Sequence, residues 1–474
     1  MNEDVIYSFL VSSNPYVEMF KQSMPLVIAA VLLYLHYQRR ISALETILYA
    51  FSMEAYTMLS VGPTFTATFF VGIVFMLEQG HRLVTGRLEI QRRYLLLLLL
   101  PALSNVVIFL LVQLYKDPFY YPPGKQGAFY LRPVYFYVKT YLPLFAIGAK
   151  LVQEREVLSF EMFTRIMKRI ARYSFVIVAL QVISIYVFRS VSMGEVLGLQ
   201  HRYLIEQSGS FLKLRVQALF GEPKVYSAFI SLCVPLFMRD REYRLAALCV
   251  LMGMLTVSQT FWINMLAALF TYLVFGHLHS ARSKILSTIG LVIGVFMVVA
   301  ACKEYFIKLY AQNQQSGIYQ LVLKRSVYRY DTQFWEKDNV FLGMPLQRDM
   351  ELPVVDFFRD EPYLLLSGYG AGNSTFIPAR YFFGQLNYEY RLNGVGGHNL
   401  NMRWFYILAE FGIFSLICFF IVLTRTYPGI SLFESSYFAF VWVCFFFSQI
   451  DLFLIITALV CAYKKTDTDG AVPG

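Results

Sequence analysis

Apolar runs recur along almost the whole chain, and short charged turns separate them. Most approach the roughly 20 residues that a helix needs to cross a bilayer core. Backbone placed in hydrocarbon must satisfy its own hydrogen bonds, so runs of this kind fold as helices. With 57% of its 474 residues hydrophobic and 15% charged, the chain is too apolar for a soluble domain. The expected fold class is all-α, a polytopic membrane protein of about 12–14 transmembrane helices with a long, partly helical external loop. No basic start with a short apolar core and a small-residue cleavage site opens the sequence, so no cleaved signal peptide is expected. The six cysteines all fall in or at the edge of apolar runs and none are close-spaced. Neither a disulfide framework nor a thiolate metal site is therefore expected.

Taken in order, the first spans lie at about 22–36, 42–60, 62–78, 94–115, 130–150 and 173–188. Further spans follow at about 225–238, 243–257, 260–277, 285–302 and 402–423, and the tract 431–463 has room for two short ones. The connectors around Arg82–Arg93, Arg165–Arg172, RDREYR and HSARSK are basic. Basic short loops stay in the cytoplasm, and this explains the net charge of +10 more simply than nucleic acid does. The segment Gln153–Ser174 reads as a cytoplasmic amphipathic helix ahead of the sixth span. Three regions result: a helical region 1–302 with an external loop at about 189–224, a large external loop 303–401, and C-terminal spans with a cytoplasmic tail over 402–474.

That topology leaves two histidines outside, His201 and His398; His36, His81, His277 and His279 fall at cytoplasmic edges. The long loop carries ten Lys or Arg and ten Asp or Glu, so its net charge attracts no anion and each arginine must be argued by position. Its ten tyrosines suit sugar rings, but a folded lid also needs a core, and the core reading fits most of them better. No external carboxylate cluster suggests a metal.

Three short patterns carry chemistry. His398-Asn399 sits where the long loop re-enters the membrane, ahead of Ile407-Leu408-Ala409-Glu410 and Gly412. Polar residues also flank spans without any chemistry, so an interfacial role stands beside a catalytic one. In the first external loop, Arg215 precedes Phe220-Gly221-Glu222-Pro223 and a span; an ordinary loop-to-helix junction is the alternative reading, and the order Arg, aromatic-Gly, Glu-Pro favours the functional one. Pro223 suits a helix start, where its missing N–H costs nothing. In the long loop, Arg325, Arg329 and Trp335 precede LLLSGYGAGNS with Gly368, Gly370 and Gly372, and Arg359 stands eleven residues before Gly370. Glycines at alternate positions allow a tight turn or close approach to a ligand.

Together these patterns resemble the bacterial O-antigen polymerase and O-antigen ligase superfamily. The resemblance covers the span pattern and roughly three motifs in the second half; the first half matches in topology alone. It departs from the family at Ser258-Gln259-Thr260, where members often carry a Ser-Arg pair. The resemblance implies a GT-C-like membrane glycosyltransferase in the bacterial inner membrane, its active site facing the periplasm. It would move a growing glycan from undecaprenyl diphosphate onto a lipid-linked repeat unit, without nucleotide, metal or other cofactor. Both donor and acceptor would be undecaprenyl-diphosphate-linked oligosaccharides, with a chain-length regulator as a further partner. His398 would act as general base. Arg215 and Arg329 would stabilise the departing diphosphate, with Arg325, Glu222, Asn399, Gly370 and Arg359 binding substrate. The Gly221-Glu222-Pro223 turn favours a polymerase over the sister ligase. A transporter is the reading from a different class: Lys139, about nine residues into a span, is the kind of charge that marks a transport path, although the two halves show no internal repeat.

Overall fold

The computed structural model describes residues 14–59, 64–90, 92–115, 126–200, 203–204, 213–277, 290, 340–341, 344–345, 351–381, 402–425 and 431–462. These are mostly helical. The helices are α1 (Pro15–Tyr37), α2 (Ala43–Ser52), α3 (Ala67–Val84), α4 (Arg92–Tyr115), α5 (Gln126–Phe136), α6 (Leu142–Gln153), α7 (Phe160–Tyr186) and α8 (Val191–Val196). They continue with α9 (Pro223–Arg239), α10 (Tyr243–Leu255), α11 (Gln259–His277), α12 (Glu351–Asp360), α13 (Leu364–Ser367), α14 (Arg403–Arg425), α15 (Leu432–Phe447) and α16 (Asp451–Ala462). Two antiparallel pairings of two residues each, Met58–Leu59 with Thr64–Phe65 and Val340–Phe341 with Met344–Pro345, are the extended elements among the described residues.

Local chemistry sets many of the boundaries. Ser42 and Glu45 form a reciprocal capping box at the start of α2, which satisfies two orphan backbone donors. Ser159 caps α7 by accepting from Met162 N at 3.1 Å. Pro223 opens α9, as its position predicts. Helix α9 packs against both α10 and α11, α11 lies along α15, and α6 lies against α3 and α16. Their apolar faces form one large core around Phe51, Phe163, Tyr226, Phe229 and Phe445.

Among the described residues two helices, α1 and α14, are long and apolar enough to cross a membrane; α2, α4, α10, α11, α15 and α16 carry shorter apolar stretches. Leucines, phenylalanines and other large apolar side chains stay exposed on the outer faces of these helices, including Leu26, Val31, Leu99, Leu103, Ile263, Leu266, Leu269, Phe414 and Phe420.

Several expected spans are redrawn. The run 42–60 supplies only the ten residues of α2, of which eight are buried, before the chain turns. The amphipathic segment ahead of the sixth span is not a separate element. It is continuous with that span as the 27-residue α7, because its charges find partners in the turn between α9 and α10. Lys168 pairs with Asp240 and Glu242, and Arg172 with Glu242 at 2.6 Å. The run 402–423 is one helix by range, yet it breaks at Gly412 (φ 80°, ψ 173°). The tract 431–463 does hold two helices, α15 and α16. The expected span at 285–302 lies outside the described residues.

Within the long loop, residues 351–381 are folded. Phe357, Tyr369, Phe376 and Tyr381 form a second core with Ile108 of α4, Phe129 of α5, and Phe405 and Ala409 of α14. These loop aromatics are core, as the sequence favoured.

Candidate functional site

The site begins with places where helices fail. Pro133 and Pro143 lie in the stretch Gln126–Gln153, and a proline removes the hydrogen bond to the carbonyl four residues earlier. Pro133 thereby strips the Phe129 carbonyl, which instead accepts from Asn373 Nδ2 at 3.2 Å. Pro143 strips the Lys139 carbonyl and crowds it, and the chain widens into a π-helical turn at Tyr137–Tyr141. Gly412 does the same for α14. Its positive φ interrupts the ladder, and the freed carbonyls of Ala409 and Glu410 accept from Tyr369 N at 2.8 Å and Gly370 N at 3.0 Å.

The glycine-rich segment Gly368–Gly372 is thus a strap laid across the break in α14. Gly368, Gly370 and Gly372 all have positive φ, a region that L side chains avoid. The Glu410 carboxylate completes the junction: it accepts from Gly372 N at 2.6 Å and from Ser374 Oγ at 2.8 Å. The Tyr406 hydroxyl bridges Glu410 to Tyr141 on the π turn. Arg132 lies over the faces of Phe136 and Phe376, with Glu410 in electrostatic reach.

A second part lies at the end of the bundle where α9, α14 and α16 start and α2 and α10 finish. The Phe220-Gly221-Glu222 turn packs against the turn after α2. Ala55 N donates to Leu219 O at 2.7 Å, and a Cβ on Gly221 would sit 3.3 Å from the Glu54 carbonyl oxygen. Gln200 Nε2 holds the Gly221 carbonyl at 3.0 Å, and Gln181 Nε2 holds those of Leu197 and Ala218 at 2.9 and 2.8 Å. The Glu54 carboxylate accepts from Thr66 Oγ1 at 3.2 Å and has Asp451 in electrostatic reach. Asp451, exposed at the first turn of α16, in turn faces Arg403 and Lys139. Arg403 is buried, donating to the carbonyls of Ser448 at 3.2 Å and Ile450 at 3.0 Å, with its guanidinium over Phe445.

Helices α2 and α16 have 10 and 12 residues, about 15 and 18 Å at the usual helical rise. Glu54, Asp451, Arg403, Lys139, Tyr141 and Tyr406 thus form one electrostatically connected cluster of acids, cations and phenols where these short helices end.

Of the residues singled out from the sequence, Arg215, Glu222, Gly370 and Arg359 are described. Arg215 is half-buried; it donates from Nε to Thr256 O at 3.0 Å and from Nη2 to Val257 O at 3.4 Å, and lies over Tyr203. It brings a guanidinium to the corner before Ser258-Gln259-Thr260. Glu222 is exposed at the N-cap of α9. Gly370 is buried with its N–H committed to Glu410 O, so it shapes the strap and offers no donor to a ligand. Arg359 stands apart, paired with Asp356 at the rim of an apolar groove of about 250 Å³ between α12 and α14. His398, Asn399, Arg325 and Arg329 lie outside the described residues, as does His201.

Sequence reasoning missed Glu54, Arg403, Asp451 and the break at Gly412. A signal existed for Asp451: it is the one acid inside the apolar tract 435–460, and carboxylates at membrane depth are costly and seldom idle. No family model, curated protein or solved structure matches the chain.

Proposed function

We propose that the chain is a polytopic inner-membrane glycosyltransferase of the GT-C-like kind, a polysaccharide polymerase acting on undecaprenyl-diphosphate-linked repeat units at the periplasmic face. The exposed apolar side chains around the helices support a lipid-facing belt, since soluble monomers rarely expose large contiguous apolar patches. Basic turns gather at the end opposite the polar cluster: Arg39-Arg40, Arg155 and Arg239–Arg244. By the positive-inside rule this supports a cluster facing outward.

The observation that carries the reading is the meeting of sequence-distant motifs. The glycine strap Gly368–Gly372 is hydrogen-bonded to the Ala409-Glu410 motif. The Gly221-Glu222-Pro223 turn sits on Glu54, whose carboxylate is electrostatically coupled to Asp451. Discontinuous helices around clustered polar groups recur where membrane proteins bind charged substrates.

In this reading the anomeric carbon of the donor glycan is attacked by a hydroxyl of the lipid-linked acceptor. The bond to the diphosphate oxygen breaks, and the leaving group departs as an anion that needs donors and cations around it. His398 takes the acceptor proton; Arg215 and Arg329 or Arg325 neutralise the diphosphate. The test is purified protein with a synthetic lipid-diphosphate repeat unit as sole substrate. A ladder of polymers without added nucleotide is the expected result. Unchanged substrate, under conditions where the protein remains folded, overturns the reading.

A further inference from the structure

We infer that Lys139 is an anion site inside the bundle that holds a phosphate of a lipid-linked substrate. The inference rests on the glycosyltransferase reading above and assigns the contact that seats its diphosphate.

Lys139 stands 13 residues after Gln126 and 14 before Gln153 in a continuous helical stretch, so it is about 20 Å from either end. A cation at that depth is expensive unless it is paired or serves a ligand. Lys139 makes no ion pair and no hydrogen bond with another described residue; its ammonium rests 5.6 Å from the centre of the Tyr135 ring. Asp451 is in electrostatic reach but forms no close pair with it. The neighbouring cations are committed differently, Arg403 to two backbone carbonyls and Arg132 to aromatic faces beside Glu410. Lys139 is therefore a cation of this cluster held by one aromatic face and by no hydrogen bond among the described residues.

The backbone presenting it is also unusual. Pi-helical turns are rare and concentrate at functional positions, and this one follows from Pro143 and aims Tyr137, Lys139 and Tyr141 differently from a regular helix. Tyr135 is 42% exposed, so the lysine sits beside an outer face of the bundle. That geometry fits a ligand whose anionic head enters the protein while its apolar chain stays in lipid. A lysine ammonium is a compact point charge suited to phosphate oxygens.

Two lipids share this chemistry, the polyprenyl diphosphate of the substrate and the anionic phospholipid of the bilayer; the assignment is to the former. The test uses the full chain in nanodiscs with polyprenyl diphosphate as probe and phosphatidylglycerol as competitor. Lys139→Gln is expected to weaken polyprenyl diphosphate binding about 10- to 100-fold, the loss of one charged hydrogen bond, and Lys139→Arg to recover most of it. In the unmutated protein, the probe should shield Lys139 from an amine-acylating reagent, a readout that needs no variant to fold. Undiminished binding by Lys139→Gln, or acylation of Lys139 unaffected by the probe, overturns the assignment. Equal shielding by phosphatidylglycerol overturns it in favour of a bilayer-lipid site. Polymer made while Lys139 stays unshielded removes this site and leaves glycosyl transfer standing. Shielding by the probe without any polymer keeps the anion site and removes the transferase reading.

Discussion

Replacing Gly412 by alanine should loosen the strap without unfolding the bundle. At φ 80° and ψ 173° the residue occupies backbone space that is nearly glycine-only, worth about 1–3 kcal/mol against any other residue. An added Cβ would also collide with the backbone of Leu366, so that segment must move away from α14. The movement pulls on two backbone hydrogen bonds, Tyr369 N to Ala409 O and Gly370 N to Glu410 O, each contributing roughly 0.5–1.5 kcal/mol net. The combined local cost is about 2–6 kcal/mol, a large share of the 5–15 kcal/mol typical of a folded domain. It falls on the strap, because α14 keeps its own contacts with α4 and α15. Hydrogen exchange read by mass spectrometry is the assay. Protection at Tyr369, Gly370 and Gly372 should fall by at least about 30-fold, since each 1.4 kcal/mol is tenfold. Amides of α9 and α15 should be unchanged. Equal protection of the three strap amides in parent and variant would refute the argument that Gly412 exists to admit the strap.

Arg215→Lys should lower thermal stability by about 1–3 kcal/mol, because lysine cannot span the carbonyls of Thr256 and Val257 with one fork; a variant with parental melting but reduced turnover would return Arg215 to a purely chemical role. Asp240 and Glu242 report on acid. Burial pushes both carboxyls up, but hydrogen bonds and charge from Arg239, Lys168 and Arg172 outweigh it and hold them below their ordinary range. A depressed folded-state value gives stability that is full above the unfolded value, near pH 4, and lost as pH falls through the folded one. The parent should therefore melt progressively earlier below about pH 4, and Lys168→Met should melt earlier at neutral pH with a shallower acid dependence; parallel curves would discount the network. His398→Ala should slow transfer about 10²–10⁴-fold with donor binding retained, and parental turnover should decline as pH falls through the histidine's pKa; near-parental turnover in the variant would shift attention to His201.

What the sequence disclosed and what it withheld divide along one physical line. Helix formation is local, so the starts at Ser42-Ala43 and Pro223 and the extents of α9, α10 and α11 follow from caps, prolines and apolar runs. Where a run ends in depth is not local. The apolar stretch 42–60 looks the same whether it crosses a bilayer or is buried as a ten-residue helix, because burial in protein and burial in lipid select the same side chains. The charged first half of α7 reads as a separate interfacial helix until Asp240 and Glu242, some seventy residues later, are seen to neutralise it. The site is harder still, since it is built from interruptions of the local rule. Pro133 and Pro143 each announce a carbonyl that the helix cannot satisfy, and a buried carbonyl must find a donor somewhere. Gly412 announces nothing, since a glycine keeps its N–H; only the fold shows the break there, with Tyr369 and Gly370 meeting the freed carbonyls of Ala409 and Glu410, as Asn373 meets that of Phe129. That is why Gly370 reads in one dimension as a ligand-binding turn and in three as a scaffold. It is also why Lys139, which looked like a transport charge, gains its meaning from the proline four residues after it.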